Sequence, residues 1–169
     1  MINIIFLDID GVLNDGDYIE KCYEMHHQPM FMENVPFNPR SLKNLRLIWQ
    51  SILDNGDEPM IVLSSTWRMG DIPKAIVESR LAEYGMYFKD VTPYINQNRG
   101  LEIINWLETN NYLYNPFVIL DDDIFDIKDK PKLISHLVQT SFKRGLLGFK
   151  AKQAIKILNK KKGLNEKIE

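Results

Sequence analysis

Short apolar runs alternate with amphipathic segments along this chain. Three runs have the unbroken apolar character of strands that are buried on both faces of a parallel sheet. They read "NIIFL" from Asn3, "MIVL" from Met60 and "PFVIL" from Pro116. Two weaker strands are predicted, one within residues 86–95 and one at "HLVQT", from His136. The chain therefore carries up to five strands.

Helical periodicity marks four segments between and after these strands. Asn38 and Pro39 are typical of a helix cap and first turn, and Asp71 can cap a second helix. A third helix is predicted over "RGLEIINWLETN", from Arg99, and a fourth after Gly148. The positions predicted to face the core are Leu42, Leu45, Ile48, Trp49, Ile52 and Leu53; Ile76, Val77, Leu81 and Tyr84; Leu101, Ile104 and Leu107; and Ala151, Ala154, Ile155 and Leu158.

Strands that alternate with helices predict a parallel sheet with helices on both faces and right-handed crossovers. We therefore expect one domain over residues 1–169, with a three-layer, Rossmann-like α/β fold. In such sheets the ligand crevice lies beyond the carboxyl ends of the strands. Polar pairs that follow three strands should meet there: Asp8 with Asp10, Ser64 with Ser65, and Asp121 with Asp122.

The composition is that of an ordinary globular protein, with 44% hydrophobic and 26% charged residues. The single cysteine, Cys22, cannot form an internal disulfide, which fits a reducing compartment. No apolar run is long enough to cross a bilayer, and the N-terminus lacks the basic start of a signal peptide. A cytoplasmic location without a membrane partner is therefore expected.

The net charge of −2 does not indicate a nucleic-acid-binding surface, but the charge is uneven along the chain. Residues 150–169 hold seven lysines and two glutamates, a local charge of +5, in a predicted basic C-terminal helix and tail. Such a tail could contact phosphates by releasing counterions. A solvated helix face that frays at its end is the more ordinary interpretation.

Carboxylates that converge in one cleft repel each other, because two charges about 4 Å apart cost roughly 4 kcal/mol at an effective dielectric of 20. A divalent cation relieves this repulsion, and hard oxygen ligands favour Mg²⁺. Zinc is not supported, since Cys22, His26 and His27 have no second thiolate nearby and the two histidines are interpreted as surface residues. A calcium loop from Asp8 would lack its glycine, and no P-loop is present.

Magnesium held by aspartates usually serves phosphate chemistry. One aspartate could attack phosphorus, and a second, two residues further on, could protonate the leaving oxygen and then activate water. Ser64 could hydrogen-bond a phosphoryl oxygen, although Ser65 is an alternative one position along. Arg99 is the best candidate for the cation that binds the remaining oxygens, and Lys89 is its alternative.

These motifs resemble, in order and spacing, those of the haloacid dehalogenase (HAD) superfamily of phosphohydrolases. The first is an apolar strand followed by Asp-x-Asp-Gly, here residues 8–11, and the second is an apolar strand ending in serine, here "MIVLSS". Arg99 stands at the basic third motif, where the superfamily more often has lysine. The acidic fourth motif reads Asp121, Asp122 and, a few residues on, Asp126.

The resemblance implies a magnesium-dependent phosphomonoester hydrolase that acts through a covalent aspartyl-phosphate. It implies Asp8 as the nucleophile and Asp10 as the general acid and base. An acid at residue 10 favours phosphoester hydrolysis over the pump-type ATPases and dehalogenases, which lack it. The implied metal ligands are Asp8, Asp10 (through its carbonyl), Asp121 and Asp122. The implied substrate contacts are Gly11, Ser64, Ser65 and Arg99.

Several stretches also resemble the small HAD domains of RNA-repair (Swiss Army Knife) proteins: "IVLSSTWR", "FVILDDD", "HLVQT" and "GLLG". This likeness implies a phosphorylated small molecule, a nucleotide or a nucleic-acid end as the substrate. Trp67 and Arg68 could stack on a base or pair with a phosphate, although core packing explains Trp67 equally well. Residues 15–37 look irregular, and residues 15–38 leave room for a flap or minimal cap. We therefore expect a capless or minimally capped domain with an open cleft.

Two alternative functions remain. The domain could be a non-catalytic phosphate-binding or regulatory module on the same fold. It could also be a phosphotransferase that hands the phosphoryl group to another acceptor, but an open cleft does not exclude water as a transferase requires.

Overall fold

A five-stranded, all-parallel sheet forms the centre of the molecule, in a computed structural model that describes residues 1–28, 31, 34–160 and 163. The strands are β1 (Ile2–Leu7), β2 (Glu58–Leu63), β3 (Phe88–Val91), β4 (Phe117–Asp121) and β5 (Leu137–Gln139). They lie in the order β3-β2-β1-β4-β5, and every neighbouring pair is parallel. The predicted parallel sheet is confirmed, and each predicted strand is present.

Six helices surround the sheet within the described residues. They are α1 (Gly16–His26), α2 (Pro39–Asp54), α3 (Asp71–Ala82), α4 (Arg99–Thr109), α5 (Pro131–Ile134) and α6 (Gly148–Asn159), and a 3₁₀ turn spans Thr66–Met69. Asn38 caps α2 as predicted, because its side-chain oxygen accepts a hydrogen bond from the Arg40 N–H at 2.9 Å. None of the described helices is long and apolar enough to span a membrane.

Successive strand residues point to opposite faces of the sheet, so the described residues form two separate cores. On one face, α2, α3 and α6 pack in one cluster with alternate residues such as Leu7 and Leu63. On the other face, α4 and α5 cover the remaining residues, and Trp106 meets Phe6 edge-to-face at 5.5 Å. The three-layer α/β architecture predicted from the alternating pattern is confirmed.

The central strands end level with one another. Leu7 pairs in register with Leu63 of β2 and with Leu120 of β4. The Asp8 N–H donates to the Leu120 carbonyl at 3.0 Å, and the Ser64 N–H donates to the Leu7 carbonyl at 2.9 Å. The polar residues that follow these strands therefore start side by side at one edge of the sheet.

The prediction that residues 15–37 are irregular is wrong for their first half, where α1 runs from Gly16 to His26. Asp15 caps this helix by accepting a hydrogen bond from the Tyr18 N–H at 3.0 Å. Cys22 is the only buried residue of the helix. Tyr18, Ile19 and Cys22 do recur at helical spacing, but this apolar stripe is short and only Cys22 is buried, so the helical signal in the sequence is weak.

Parts of two other predictions fall outside the described residues. Residues 29, 30, 32 and 33 of the predicted flap are among them, and a flap over residues 15–38 stays a prediction. The predicted basic segment begins within α6, but residues 161, 162 and 164–169 also lie outside the described part. His26 and His27 are exposed, as predicted.

Two details of the helices differ from the prediction. Gly70, not Asp71, precedes α3 as its cap residue, and Asp71 instead pairs with Lys74 at 3.0 Å. In α4 the buried apolar residues are Ile103, Trp106 and Leu107, whereas Leu101 is exposed; Leu53 at the end of α2 is exposed too. The apolar pattern of α4 fits several orientations of the helix about its own axis. The observed orientation also buries Glu102, which forms an ion pair with a residue outside α4.

Candidate active site

Three aspartates that are far apart in sequence meet at the carboxyl edge of the sheet. Asp8 follows β1, Asp121 ends β4 and Asp122 comes next. One carboxylate oxygen from each lies within 4.8 Å of the other two. Asp8 and Asp121 are buried, and Asp122 is half-buried. The register of β1 against β4 thus brings together the carboxylates expected to share a metal ion.

Arg99 is the cation beside this cluster. As the first residue of α4, it donates a hydrogen bond from Nη1 to Asp121 Oδ2 at 2.5 Å, and the same nitrogen lies 3.4 Å from Asp8 Oδ1. The Arg99 N–H donates to the Asp126 carboxylate at 3.3 Å, which ties the start of α4 to the loop after β4. Lys89, the alternative cation, is exposed on β3.

One guanidinium does not offset three clustered carboxylates. Burial raises the pKa of Asp121 to about 7, although Arg99 opposes the shift. Burial also raises the pKa of Asp8, and burial together with the Asp8 charge raises the pKa of Asp122. A divalent cation would stabilise the ionised forms, and a donor set made only of carboxylate oxygens fits Mg²⁺.

Asp10 lies outside the three-aspartate cluster, and both of its carboxylate oxygens are hydrogen-bonded. The Asn14 side chain donates to Oδ1 at 2.8 Å, and the Trp67 indole N–H donates to Oδ2 at 3.0 Å. The Trp67 ring is 3% exposed and packs edge-to-face on Phe37 at 5.5 Å. Core packing is therefore the correct interpretation of Trp67, which orients Asp10 and cannot stack on a base.

Gly11 allows the loop after β1 to approach β4. Its φ is +72°, and a side chain there would overlap the carboxylate of Asp122. The Gly11 carbonyl accepts a hydrogen bond from the Thr140 hydroxyl, beyond β5, at 2.6 Å. Glycine is thus required for the close packing of the first and fourth motifs, and its contact with substrate stays a prediction.

The two serines after β2 have different surroundings. The Ser65 hydroxyl hydrogen-bonds the Asp8 carboxylate and helps to hold down its pKa. The Ser64 hydroxyl is fully buried and has no hydrogen-bond partner among the described residues. Of the two alternatives for the second motif, Ser65 is the one next to the predicted nucleophile.

Arg68 is buried, so it is not free to pair with a phosphate. Its side chain is 4% exposed and forms a 2.8 Å ion pair with Glu102 of α4. It also donates to the carbonyls of Ser64 and Thr92, at 2.8 and 3.0 Å, and Glu102 accepts from the Ile95 N–H at 3.0 Å. This pair, which sequence reasoning missed, joins the end of β2, the loop after β3 and the helix that carries Arg99.

A cavity of about 490 Å³ opens beside the aspartate cluster. It is lined by Asp121, which belongs to the cluster, and by Arg99, which pairs with Asp121. Residues from the 3₁₀ turn, the loop after β3, the start of α4 and the loop after β4 line it: Thr66, Arg68, Met69, Tyr94, Gln97, Arg99, Glu102, Asp121, Asp123 and Asp126. The site therefore has space on one side for a group attached to a bound phosphate.

Comparison with known protein families gives one finding. A family model described as "HAD domain in Swiss Army Knife RNA repair proteins" matches residues 4–150. No curated protein matches the chain. The matched range contains the aspartate cluster, Arg99 and the cavity.

Without a metal ion, the stability of the folded protein should fall as the pH rises from about 4 to about 7. The folded-state pKa values of Asp8, Asp121 and Asp122 lie above their unfolded values, so the unfolded chain loses these protons first. The loss from Asp121 alone is on the order of a few kcal/mol. Mg²⁺ should therefore raise the Tm more at pH 8 than at pH 5, in circular dichroism melts with chelator or added Mg²⁺.

Two variants control for other titrating groups. Asp121→Asn should flatten the pH dependence and reduce the effect of Mg²⁺, whereas Asp129→Asn, which removes an exposed carboxylate outside the cluster, should change neither. Equal stabilisation by Mg²⁺ at both pH values would contradict the prediction.

Proposed function

The chain belongs to the family of HAD domains in Swiss Army Knife RNA repair proteins, and on this basis we propose that it is a magnesium-dependent phosphomonoester hydrolase. The proposal takes Asp8 as the nucleophile and a nucleotide or nucleic-acid end as the substrate. The observation that carries it is the meeting of Asp8, Asp121 and Asp122 within 4.8 Å, with Arg99 paired to two of them. A cytoplasmic location belongs to the same proposal.

Asp8, Asp122 and the carbonyl of Asp10 would hold Mg²⁺, with Asp121 beside them. The ion would neutralise phosphate charge, so that an anionic nucleophile can approach phosphorus. The raised pKa values of all three clustered carboxylates support this assignment, because burial is the largest cause of each shift and a bound cation would stabilise the ionised forms that burial disfavours.

The first step joins an oxygen of Asp8 to phosphorus and breaks the bond between phosphorus and the leaving oxygen. Asp10 gives its proton to that oxygen, which departs as an alcohol. In the second step Asp10 takes a proton from water, whose oxygen attacks phosphorus. The bond between Asp8 and phosphorus breaks, and inorganic phosphate leaves with Asp8 restored.

The remaining phosphoryl oxygens need donors that are already in place. We assign this role to Arg99, which Asp121 and Asp8 hold at the cluster, and to the Ser65 hydroxyl. Donors fixed before the reaction stabilise developing charge without reorganisation.

A turnover screen with Mg²⁺ separates this proposal from its alternatives. It compares 3′- and 5′-phosphorylated oligonucleotides, mononucleotides, sugar phosphates and phosphopeptides. No turnover of any of them would favour a non-catalytic phosphate-binding module. Transfer of the phosphoryl group to an added alcohol, in preference to water, would favour a phosphotransferase.

Asp8→Asn should abolish turnover while leaving the fold intact. An amide cannot act as the nucleophile, and loss of one buried charge should raise the Tm of the metal-free protein. Mass spectrometry of the rapidly quenched wild type should find one added phosphoryl group, which Asp8→Asn should lack. Undiminished hydrolysis in Asp8→Asn would reject the mechanism.

Trp67→Phe should lower kcat by about tenfold, because the hydrogen bond that orients Asp10 is lost while the ring remains. Trp106→Phe is the matched control, since its indole N–H donates to Asp90 at 2.8 Å on another part of the fold. The effect should vanish in an Asp10→Asn background, where kcat is already low. Equal losses in the two tryptophan variants would point to packing alone.

Ser65→Ala should lower kcat/KM by about tenfold or more, because one donor to the reacting group is lost. Ser64→Ala removes a buried hydroxyl without a partner, so it should leave kcat/KM unchanged and the free energy of unfolding within about 0.5 kcal/mol of wild type. Steady-state kinetics and urea denaturation measure the two quantities. If only Ser64→Ala lowered kcat/KM, Ser64 and not Ser65 would be the second-motif residue that contacts the substrate.

A further inference from the structure

We propose that the cavity beside the aspartate cluster binds the nucleobase of the substrate, stacked on the ring of Tyr94. This inference rests on the proposed function, because it takes the reacting phosphate to lie at Asp8 and Arg99. It identifies the nucleobase as the part of the leaving group that the protein recognises.

The position and size of the cavity suit the leaving group of a nucleotide. The cavity shares Arg99 and Asp121 with the cluster, so a group attached to a phosphate at Arg99 can extend into it. Its volume of about 490 Å³ lies within the range of small-molecule sites, roughly 300 to 1,000 Å³.

One wall of the cavity has the chemistry that binds a flat, uncharged ring. Tyr94 is 55% exposed, and its ring takes part in no aromatic pair within the described residues. Met69 is 59% exposed and adds a polarisable thioether. An accessible aromatic face stacks on any base, and the Gln97 amide offers a donor and an acceptor to its edge.

The loop that carries Tyr94 is held in a strained conformation. Asn96 and Gln97 have φ values of 49° and 56°, an uncommon backbone region for glutamine that is often found at ligand sites. The buried Arg68 side chain donates to the carbonyls on the N-terminal side of Tyr94, at 3.0 and 3.4 Å, and Glu102 accepts from the N–H that follows it. A loop held in this way loses little conformational freedom when a ligand binds.

The charge of the cavity favours a neutral group over additional phosphates. Of its four carboxylates, those of Glu102 and Asp121 are paired with arginines. Asp123 and Asp126 form no salt bridge within the described residues. This excess of negative charge repels a polyphosphate but not a nucleobase, so the cavity fits the nucleoside part of the substrate.

The test compares substrates with and without a base in the presence of Mg²⁺. We expect kcat/KM for adenosine 5′-monophosphate to exceed that for ribose 5-phosphate by about tenfold, the effect typical of one stacked base. Tyr94→Ala should remove most of this ratio, and Tyr94→Phe, which keeps the ring, should retain it. Tyr114→Ala, at an exposed tyrosine before β4 on the opposite edge of the sheet, should leave both rates as in wild type.

Each of the following results would overturn the assignment: a ratio near one in the wild type, the same ratio in Tyr94→Ala as in the wild type, or a preference for a phosphopeptide over every nucleotide. Oligoadenylates phosphorylated at the 5′ or 3′ end present the same base as the mononucleotide. A preference over ribose 5-phosphate, shown either by the mononucleotide or by the oligoadenylates, supports the assignment. Which of the two is preferred distinguishes a free nucleotide from a nucleic-acid end. A preference for neither would overturn the assignment.

Binding to Asp8→Asn separates this inference from the proposed function. Equilibrium dialysis should find adenosine 5′-monophosphate bound about tenfold more tightly than ribose 5-phosphate, and Tyr94→Ala in the same background should abolish the difference. If the wild type turns over no substrate but this difference is found, the proposed hydrolase fails and the base site stands. If turnover is found without the difference, only the base site fails.

Discussion

Repulsion among three carboxylates on two neighbouring strands is the constraint on which this site depends. The register of β1 against β4 sets Asp8 beside Asp121 and Asp122, and burial deprives them of water. Arg99 offsets part of the resulting cost, and the raised pKa of each carboxylate reflects chiefly its burial, with a smaller contribution from neighbouring carboxylates. The fold therefore holds an unfavourable arrangement of charge that a divalent cation would stabilise.

The short turn after β2 connects the parts of the site. Trp67 hydrogen-bonds Asp10 after the first strand, and its neighbour Arg68 pairs with Glu102 in the helix that begins at Arg99. Adjacent residues of one turn thus orient the predicted general acid and support the helix that places the cation. Both side chains are buried, so their positions follow from core packing and not from contact with a ligand. The exposed side chains that line the cavity are therefore those of Tyr94 and its neighbours.

Much of the fold could be predicted from apolar runs, because a strand buried on both faces must be apolar throughout. The polar residues that end those runs could be predicted to meet, since parallel strands place their carboxyl ends at one edge. The exposed helix α1 gives only a weak signal of this kind, because its apolar stripe of Tyr18, Ile19 and Cys22 is short and buries only Cys22. The buried face of α4 could be predicted only in part, at Leu107 and Ile104, since it also includes Glu102, whose partner Arg68 lies 34 residues away in sequence.

The sequence by itself determined the order of the five strands and of α2, α3, α4 and α6, the aspartates after β1 and β4, and Arg99 at the start of α4, because each depends on local pattern and chain order. Only the tertiary structure decided that Ser65 contacts Asp8, that Trp67 and Asn14 orient Asp10, and that Arg68 is buried. Such choices depend on the direction of individual side chains after helices and loops have docked. Directional hydrogen bonds between distant segments produce no periodic pattern in the sequence, so the sequence alone does not predict them.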